Sequence, residues 1–137
     1  GSGMSRDNRV TVHILVDLIA AMVKDNKRGP TFVNSLSIAG VDGTLRKRMK
    51  ELAPHLYAKT GYLNGVTALS GLLVLPEAEP AQIDGAGDDT LPRSVAFSFL
   101  FNDLRPPVYH YQAKALQDEL IRLIHESYAT NKVELGR

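Results

Sequence analysis

The residues best suited to chemistry are Lys59-Thr60-Gly61: an ammonium, a hydroxyl and a bare backbone in consecutive positions. They lie in a stretch rich in aromatic and β-branched residues, Leu56–Leu63, that reads as a strand. Successive strand residues point to opposite faces, so the ammonium and the hydroxyl diverge unless the strand twists at its end. Gly61 removes the side chain where another backbone must come close. An exposed strand edge offers N–H and C=O groups to an extended peptide lying antiparallel beside it. A lysine ammonium attracts a carboxylate, and a neighbouring hydroxyl can hydrogen-bond it. The residues therefore describe a seat for the C-terminal carboxylate of an extended peptide. A plain edge-strand lysine, placed to discourage unwanted pairing, is the competing account of the same tripeptide.

Other chemistries find less support. His13, His55, His110 and His125 stand singly, none three or four residues from another, and no HExxH occurs, so no metal site is expected. Neither GxxxxGK[ST] nor GxGxxG is present, and Gly85-Ala86-Gly87 lacks a following helix to aim amides at a phosphate, so no cofactor is expected. The cluster Arg46, Lys47, Arg48 and Lys50 could be a phosphate patch or a solvated helix face. Without an aromatic platform beside it, the solvated face is the better account. Lys plus Arg total 16 against 15 Asp plus Glu, a net charge of +1 that gives no broad attraction to nucleic acid or anionic lipid. No apolar run approaches the roughly 18 residues of a membrane span. With no cysteine, disulfides and thiolate metal sites are excluded.

The elements that must position these residues follow from periodicity. The 137 residues, 44% hydrophobic, suffice for one unit spanning 1–137. Thr11 is placed to cap a helix whose Leu15, Leu18, Ile19 and Met22 recur at helical spacing, and Gly29-Pro30 ends it. A helical turn is expected over 31–35, and a second short helix over 45–52 capped by Thr44. After the first strand, Asn64-Gly65 is a strong hairpin signal, and 66–75 is apolar on both parities, as a central strand covered on both faces would be. Segment 76–92 reads as a long acidic surface loop. A third strand, 94–102, alternates: Val95, Phe97, Phe99 and Phe101 on one face, Ser94, Ala96, Ser98, Leu100 and Asn102 on the other. A long helix over 108–128 follows Pro106-Pro107, with a stripe of Tyr109, Ala113, Leu116, Leu120, Leu123, Ile124 and Tyr128. Its Asp118, Arg122 and Glu126 are spaced for i,i+4 pairs outside. The class is α+β, with a meander of three antiparallel strands between helices.

Three segments then come in a familiar order. They are Gly1-Ser2-Gly3-Met4-Ser5-Arg6-Asp7-Asn8-Arg9-Val10, then Ile38-Ala39-Gly40-Val41-Asp42-Gly43-Thr44-Leu45-Arg46-Lys47-Arg48-Met49, then Ala58-Lys59-Thr60-Gly61-Tyr62-Leu63-Asn64-Gly65-Val66-Thr67-Ala68-Leu69-Ser70-Gly71. Together they resemble the C-terminal part of the class C low-molecular-mass penicillin-binding proteins, the penicillin-binding protein 4 type of D-alanyl-D-alanine carboxypeptidase/endopeptidase. The resemblance runs over residues 1–128, and it reads Gly1-Ser2-Gly3 as native with Met4 in place of a leucine. It implies the C-terminal portion of a transpeptidase-like fold and acyl-enzyme chemistry on peptidoglycan stem peptides ending in D-Ala-D-Ala, with β-lactams trapping the parent enzyme. By resemblance Lys59 is catalytic, assisting proton transfer and electrostatics. Thr60 binds the substrate carboxylate, Gly61 permits close approach, and the backbone N–H of Tyr62 is an oxyanion donor. Tyr62 stands where such families often carry Thr, which would reshape the cleft. The implied location is the periplasm or cell envelope.

In such proteins a Ser-x-x-Lys supplies the nucleophile and a Ser-x-Asn a second set of contacts. No serine of this chain has Lys three residues on or Asn two residues on. The expectation is a piece of a longer enzyme with its nucleophile and its second motif upstream, or a remnant without catalysis. Two alternatives stay open: a non-catalytic module that grips peptidoglycan peptides, and a structural dimeric α+β domain. A homodimer through the Phe-rich 94–102 edge is a further expectation.

Overall fold

A computed structural model of the chain describes residues 5, 7–75 and 93–135, with side chains as far as 129. The 76–92 loop reading lies outside the described residues. Helix α1 spans Val12–Lys24, and Thr11 caps it, its Oγ1 accepting from the Ile14 N–H at 3.2 Å. A short α2, Gly29–Asn34, follows with Pro30 in its first turn, where a missing N–H costs nothing. Strands β1 (Ser37–Ile38), β2 (Leu56–Leu63), β3 (Val66–Val74) and β4 (Ser94–Phe101) form one antiparallel sheet in the order β1-β2-β3-β4. Helix α3, His110–Leu135, closes the chain. The α+β class and the three long strands stand as the periodicity suggests. The sheet has a fourth member, the two-residue β1, too short to carry an alternation.

The sheet is covered on both faces, which is why β3 is apolar on both parities. One face carries Leu56, Ala58, Leu69, Leu73 and Phe97, packed against Ile121 of α3 and against Leu45, Met49 and Leu52. The other carries Tyr57, Leu72, Val74 and Ala96, packed against Ile19 of α1 and Val33 of α2. Burial of the Tyr57 ring also pushes its phenol up from the ordinary tyrosine range.

Segment 45–52 is not the helix its spacing suggests. Two 3₁₀ turns, Gly43–Leu45 and Lys50–Leu52, flank Met49, which takes a left-handed backbone at φ 47°. The carbonyls of Leu45 and Arg48 both accept the Gly40 N–H at 3.1 Å, so a partner outside the segment takes acceptors that an α-helix would use internally. Leu45, Met49 and Leu52 share helical spacing, yet all reach the core through irregular backbone.

Two apolar stripes are also rotated from their expected positions. On α1 Leu18 is 55% exposed, while Ile19 is buried and Leu15 and Met22 are half-buried. Tyr109, just before α3, and Leu116 and Leu123 on it are exposed, and the buried line is Ala113, Gln117 and Ile121. A polar residue therefore occupies the centre of the α3 contact. The cause is Arg48, whose guanidinium donates to Gln117 Oε1 at 3.2 Å, to the Lys114 carbonyl at 3.3 Å and, through Nε, to Asp118 Oδ1 at 3.0 Å. Arg48 thus leaves the supposed solvated cluster to anchor α3. Asp118 faces inward to meet it, and Arg122 pairs with Glu51 and Glu119 rather than along an outer i,i+4 ladder. Among the described residues no helix is long and apolar enough to cross a membrane.

Candidate functional site

Lys59, Thr60, Gly61 and Tyr62 line one groove of about 1130 Å³ at the hairpin end of the sheet. The tight Asn64-Gly65 turn, with Gly65 at φ +78°, pairs Leu63 with Val66 and sets the register of everything behind it. In that register Lys59 lies opposite Ser70, and Ser70 opposite Ser98, so the lysine heads a polar row across three strands. The two serine hydroxyls are 2.8 Å apart. Thr60 belongs to the other face, opposite Leu69 and Phe99, as strand alternation requires.

The hydroxyl of Thr60 lies 2.8 Å from that of Thr44, which the 3₁₀ turn at Gly43–Leu45 presents. If Thr44 donates, the hydrogen of Thr60 is left for another acceptor. The exposed Lys59 side chain curls along the strand, and its Nζ donates to the Thr60 carbonyl at 2.7 Å. At Gly61 a Cβ would stand 3.1 Å from the Cβ of Ala68, tighter than ordinary contact, so the bare backbone is what the two strands accommodate. Tyr62 is 61% exposed, and its ring rests on His110 with centroids 4.6 Å apart. The Nζ of Lys114 sits 5.3 Å from the centroid of the same ring.

One edge of β2 is open where these residues lie. Strand β1 pairs only with Tyr57 and Ala58, and the Ala39 N–H donates to the Leu56 carbonyl at 2.9 Å. Even-numbered positions of β2 therefore direct their backbone groups away from β3. Beyond Ala58 no strand among the described residues continues that pairing, so the N–H and C=O groups of Thr60 and Tyr62 face outward. An extended peptide laid on this edge would meet main-chain partners at two successive outward positions.

The sequence did not single out the rest of the groove. Ser5, Asn8, Arg9 and Val10 from the segment before α1 form one wall, and Asn102, Asp103, Leu104 and Arg105 after β4 form another. The Ser5 Oγ accepts the Asp7 N–H at 3.1 Å, and the Arg9 guanidinium donates to the Asn8 carbonyl at 3.2 Å. Among the described residues, Arg9, Lys59 and Arg105 line the groove together with Asp103, which pairs with Arg105 at 3.4 Å. The exposed Lys59 ammonium is a group that an anionic ligand could meet. The Ser5–Arg9 stretch was visible as part of the family resemblance, but its serine and asparagine stand one residue further apart than Ser-x-Asn. Thr44 and His110 carried no signal of a role at the site.

A family model described as the D-Ala-D-Ala carboxypeptidase 3 (S13) family matches residues 1–124. A D-alanyl-D-alanine carboxypeptidase of Actinomadura sp. is 42% identical over 88 residues, covering 59% of this chain and 16% of that protein. A penicillin-sensitive carboxypeptidase A of Dictyostelium discoideum is 34% identical over 107 residues, covering 75% of this chain and 19% of that protein. The chain thus spans less than a fifth of the length of these relatives. Among solved structures, penicillin binding protein 4 of Haemophilus influenzae, in complex with a β-lactam, superposes with a TM-score of 0.68 over 91% of this chain and 28% of that one. At 24% identity that likeness speaks for the fold.

Proposed function

The chain belongs to the D-Ala-D-Ala carboxypeptidase 3 (S13) family, and from that premise we propose that its groove receives the D-Ala-D-Ala end of a peptidoglycan stem peptide. The observation that carries this reading is the open β2 edge at Thr60 and Tyr62 among the described residues, flanked by the Lys59 ammonium in the same groove. The peptide adds as an antiparallel strand to that edge. Its terminal carboxylate meets Lys59 and the Thr60 hydroxyl, with Thr44 donating to Thr60 so that Thr60 can donate to the ligand. The outward N–H of Tyr62 is placed to stabilise charge developing on the scissile carbonyl oxygen. Gly61 keeps the strand slim where the peptide passes.

In the parent enzyme a serine would attack that carbonyl and pass its proton to an adjacent lysine. The C–N bond breaks, the terminal D-Ala leaves as the amine, and water hydrolyses the acyl-enzyme. The attacking serine belongs to another part of the parent, because no Ser-x-x-Lys occurs in this chain. The Ser-x-Asn contacts likewise belong to another part of the parent, since no serine of this chain has Asn two residues on. The parent would work in the periplasm or cell envelope, where its substrate is.

The absence of Ser-x-x-Lys supports a narrower statement for the chain itself: it binds the peptide and does not cleave it. Calorimetry with an N-acyl-D-Ala-D-Ala peptide tests this. Wild type should release heat, Lys59→Ala should not, and the L,L-peptide should be silent. No heat from wild type, or equal heat from Lys59→Ala, sinks the binding reading and leaves a structural domain. A fluorescent penicillin should label the parent covalently and leave this chain unlabelled. The end position of β4 in the sheet also keeps pairing with a second copy along Ser94–Phe101 as part of the proposal. Light scattering that reads a monomer at high concentration would remove it.

A further inference from the structure

His110 is the first residue of α3, and its ring lies against the hairpin that ends β2. Its Nε2 accepts the Gly65 N–H at 3.2 Å, and the Leu104 N–H donates to the carbonyl of the same Gly65 at 2.9 Å. The turn residue is thus held from both sides by segments far away in the chain. The His110 ring packs on Tyr62, whose outward backbone N–H belongs to the open edge of β2. The Nδ1 of His110 is buried and has no hydrogen-bond partner among the described residues.

These contacts set the protonation state that the lock needs. A neutral imidazole carries one donor nitrogen and one acceptor. Because Nε2 accepts from Gly65, the hydrogen sits on Nδ1. A second proton can only go to Nε2, where it would face the Gly65 N–H. Donor would then meet donor, and the cationic ring would hold a buried N–H with nothing to accept it. Among the described residues, the titratable and charged groups on the elements packed here are Tyr62 of β2, against the ring itself, Lys114 of α3, over the Tyr62 ring, and the Asp103–Arg105 pair on either side of Leu104 in the connection that holds Gly65.

We propose that His110 is a positioning residue: in its neutral form it locks the Asn64-Gly65 hairpin and so fixes the Tyr62 end of the peptide-binding edge, and protonation releases that lock. The ligand half of this statement rests on the function proposed above; the lock itself does not. The expected consequence is that the groove loses peptide affinity on acidification, with Lys59 and Thr60 left in place.

Nuclear magnetic resonance of the 137-residue chain reads the lock without any ligand. The neutral His110 should be the Nδ1–H tautomer. As its ring titrates, the amide resonances of Gly65, Leu63 and Tyr62 should move with the same midpoint, and Gly65 should lose about tenfold of its exchange protection. His110→Gln keeps an acceptor that does not titrate, so Gly65 should stay protected at every pH. His110→Phe keeps a ring without an acceptor and should lack the protection throughout. Peptide affinity measured in parallel should fall with acid in wild type and stay flat in His110→Gln. An Nε2–H tautomer, hairpin amides that ignore the His110 titration, or an unchanged pH profile in His110→Gln would each overturn the proposal. If the hairpin titrates while affinity stays flat, the positioning role is overturned. A peptide that binds at no pH refutes the groove reading and this role with it, while the amide titration still decides the lock.

Discussion

Replacing Arg48 with Met asks how much one ion pair contributes to holding the site's frame together. Met retains most of the aliphatic stem and removes the guanidinium, which bridges Asp118, Gln117 and the Lys114 carbonyl of α3. Both partners of the pair are only 16% exposed. Solvent cannot readily rescue the Asp118 carboxylate once its partner has gone. Breaking a buried pair from one side costs about 3–5 kcal/mol, and the residual exposure puts this one near the lower end, about 3 kcal/mol. For a chain of this size that corresponds to a fall in Tm of about 12 °C. Urea unfolding of Arg48→Met should show a lower midpoint with an unchanged slope. Removing the stranded charge as well, in Arg48→Met/Asp118→Leu, should restore most of the loss, because an apolar pair of similar volume carries no desolvation penalty. A single-mutant loss below about 1 kcal/mol, the range of an exposed pair, would refute the reasoning. So would a double mutant no more stable than the single. The consequence for the site is direct, since the same irregular segment presents Thr44 to Thr60.

Three further outcomes follow from the geometry. Gly71→Ala should destabilise by more than about 3 kcal/mol or prevent folding, because its Cβ would stand 2.1 Å from the Tyr57 carbonyl oxygen and 2.6 Å from the Ala58 Cα; a chemical denaturation midpoint near wild type would contradict this. Gly61→Ala meets only the Ala68 Cβ, at 3.1 Å, so it should cost about 1 kcal/mol of stability. Calorimetry should nevertheless show weakened binding of the acyl-D-Ala-D-Ala peptide, since the added methyl sits in the groove. The side-chain hydrogen bond from Arg122 holds the Glu51 carboxyl below the ordinary glutamate range. A depressed folded-state pKa adds stability that is present above the unfolded glutamate value and is lost as pH falls through the folded one. The pair is exposed, so the increment should stay under about 1 kcal/mol. Arg122→Gln should raise the Glu51 titration midpoint measured by nuclear magnetic resonance and remove that part of the acid dependence; an unmoved midpoint would count against the pairing.

Much of the architecture was legible from local chemistry. Thr11 caps α1 because a hydroxyl placed before a helical stripe satisfies an orphan amide wherever the helix goes. Asn64-Gly65 specifies its hairpin because the turn needs left-handed backbone, and the register of β2 against β3 follows from it. The alternation of β4 and the two-sided apolarity of β3 state which faces are buried, since strand period is rigid. The strand that carries Lys59-Thr60-Gly61 was legible for the same reason. Tertiary structure decided whatever depends on partners distant in sequence. The 45–52 segment has helical spacing, but its Arg48 is claimed by α3, seventy residues on. Gln117 is buried only because Arg48 reaches it, so the α3 stripe runs through a polar residue that no hydrophobic pattern would choose. Ser5 and Asn8 join Lys59, Thr44 meets Thr60, and His110 clasps Gly65 only once the sheet is formed and its helices are packed. Local propensities act over a few residues, whereas the groove is made by segments up to about a hundred residues apart, brought together by core packing that no single segment encodes.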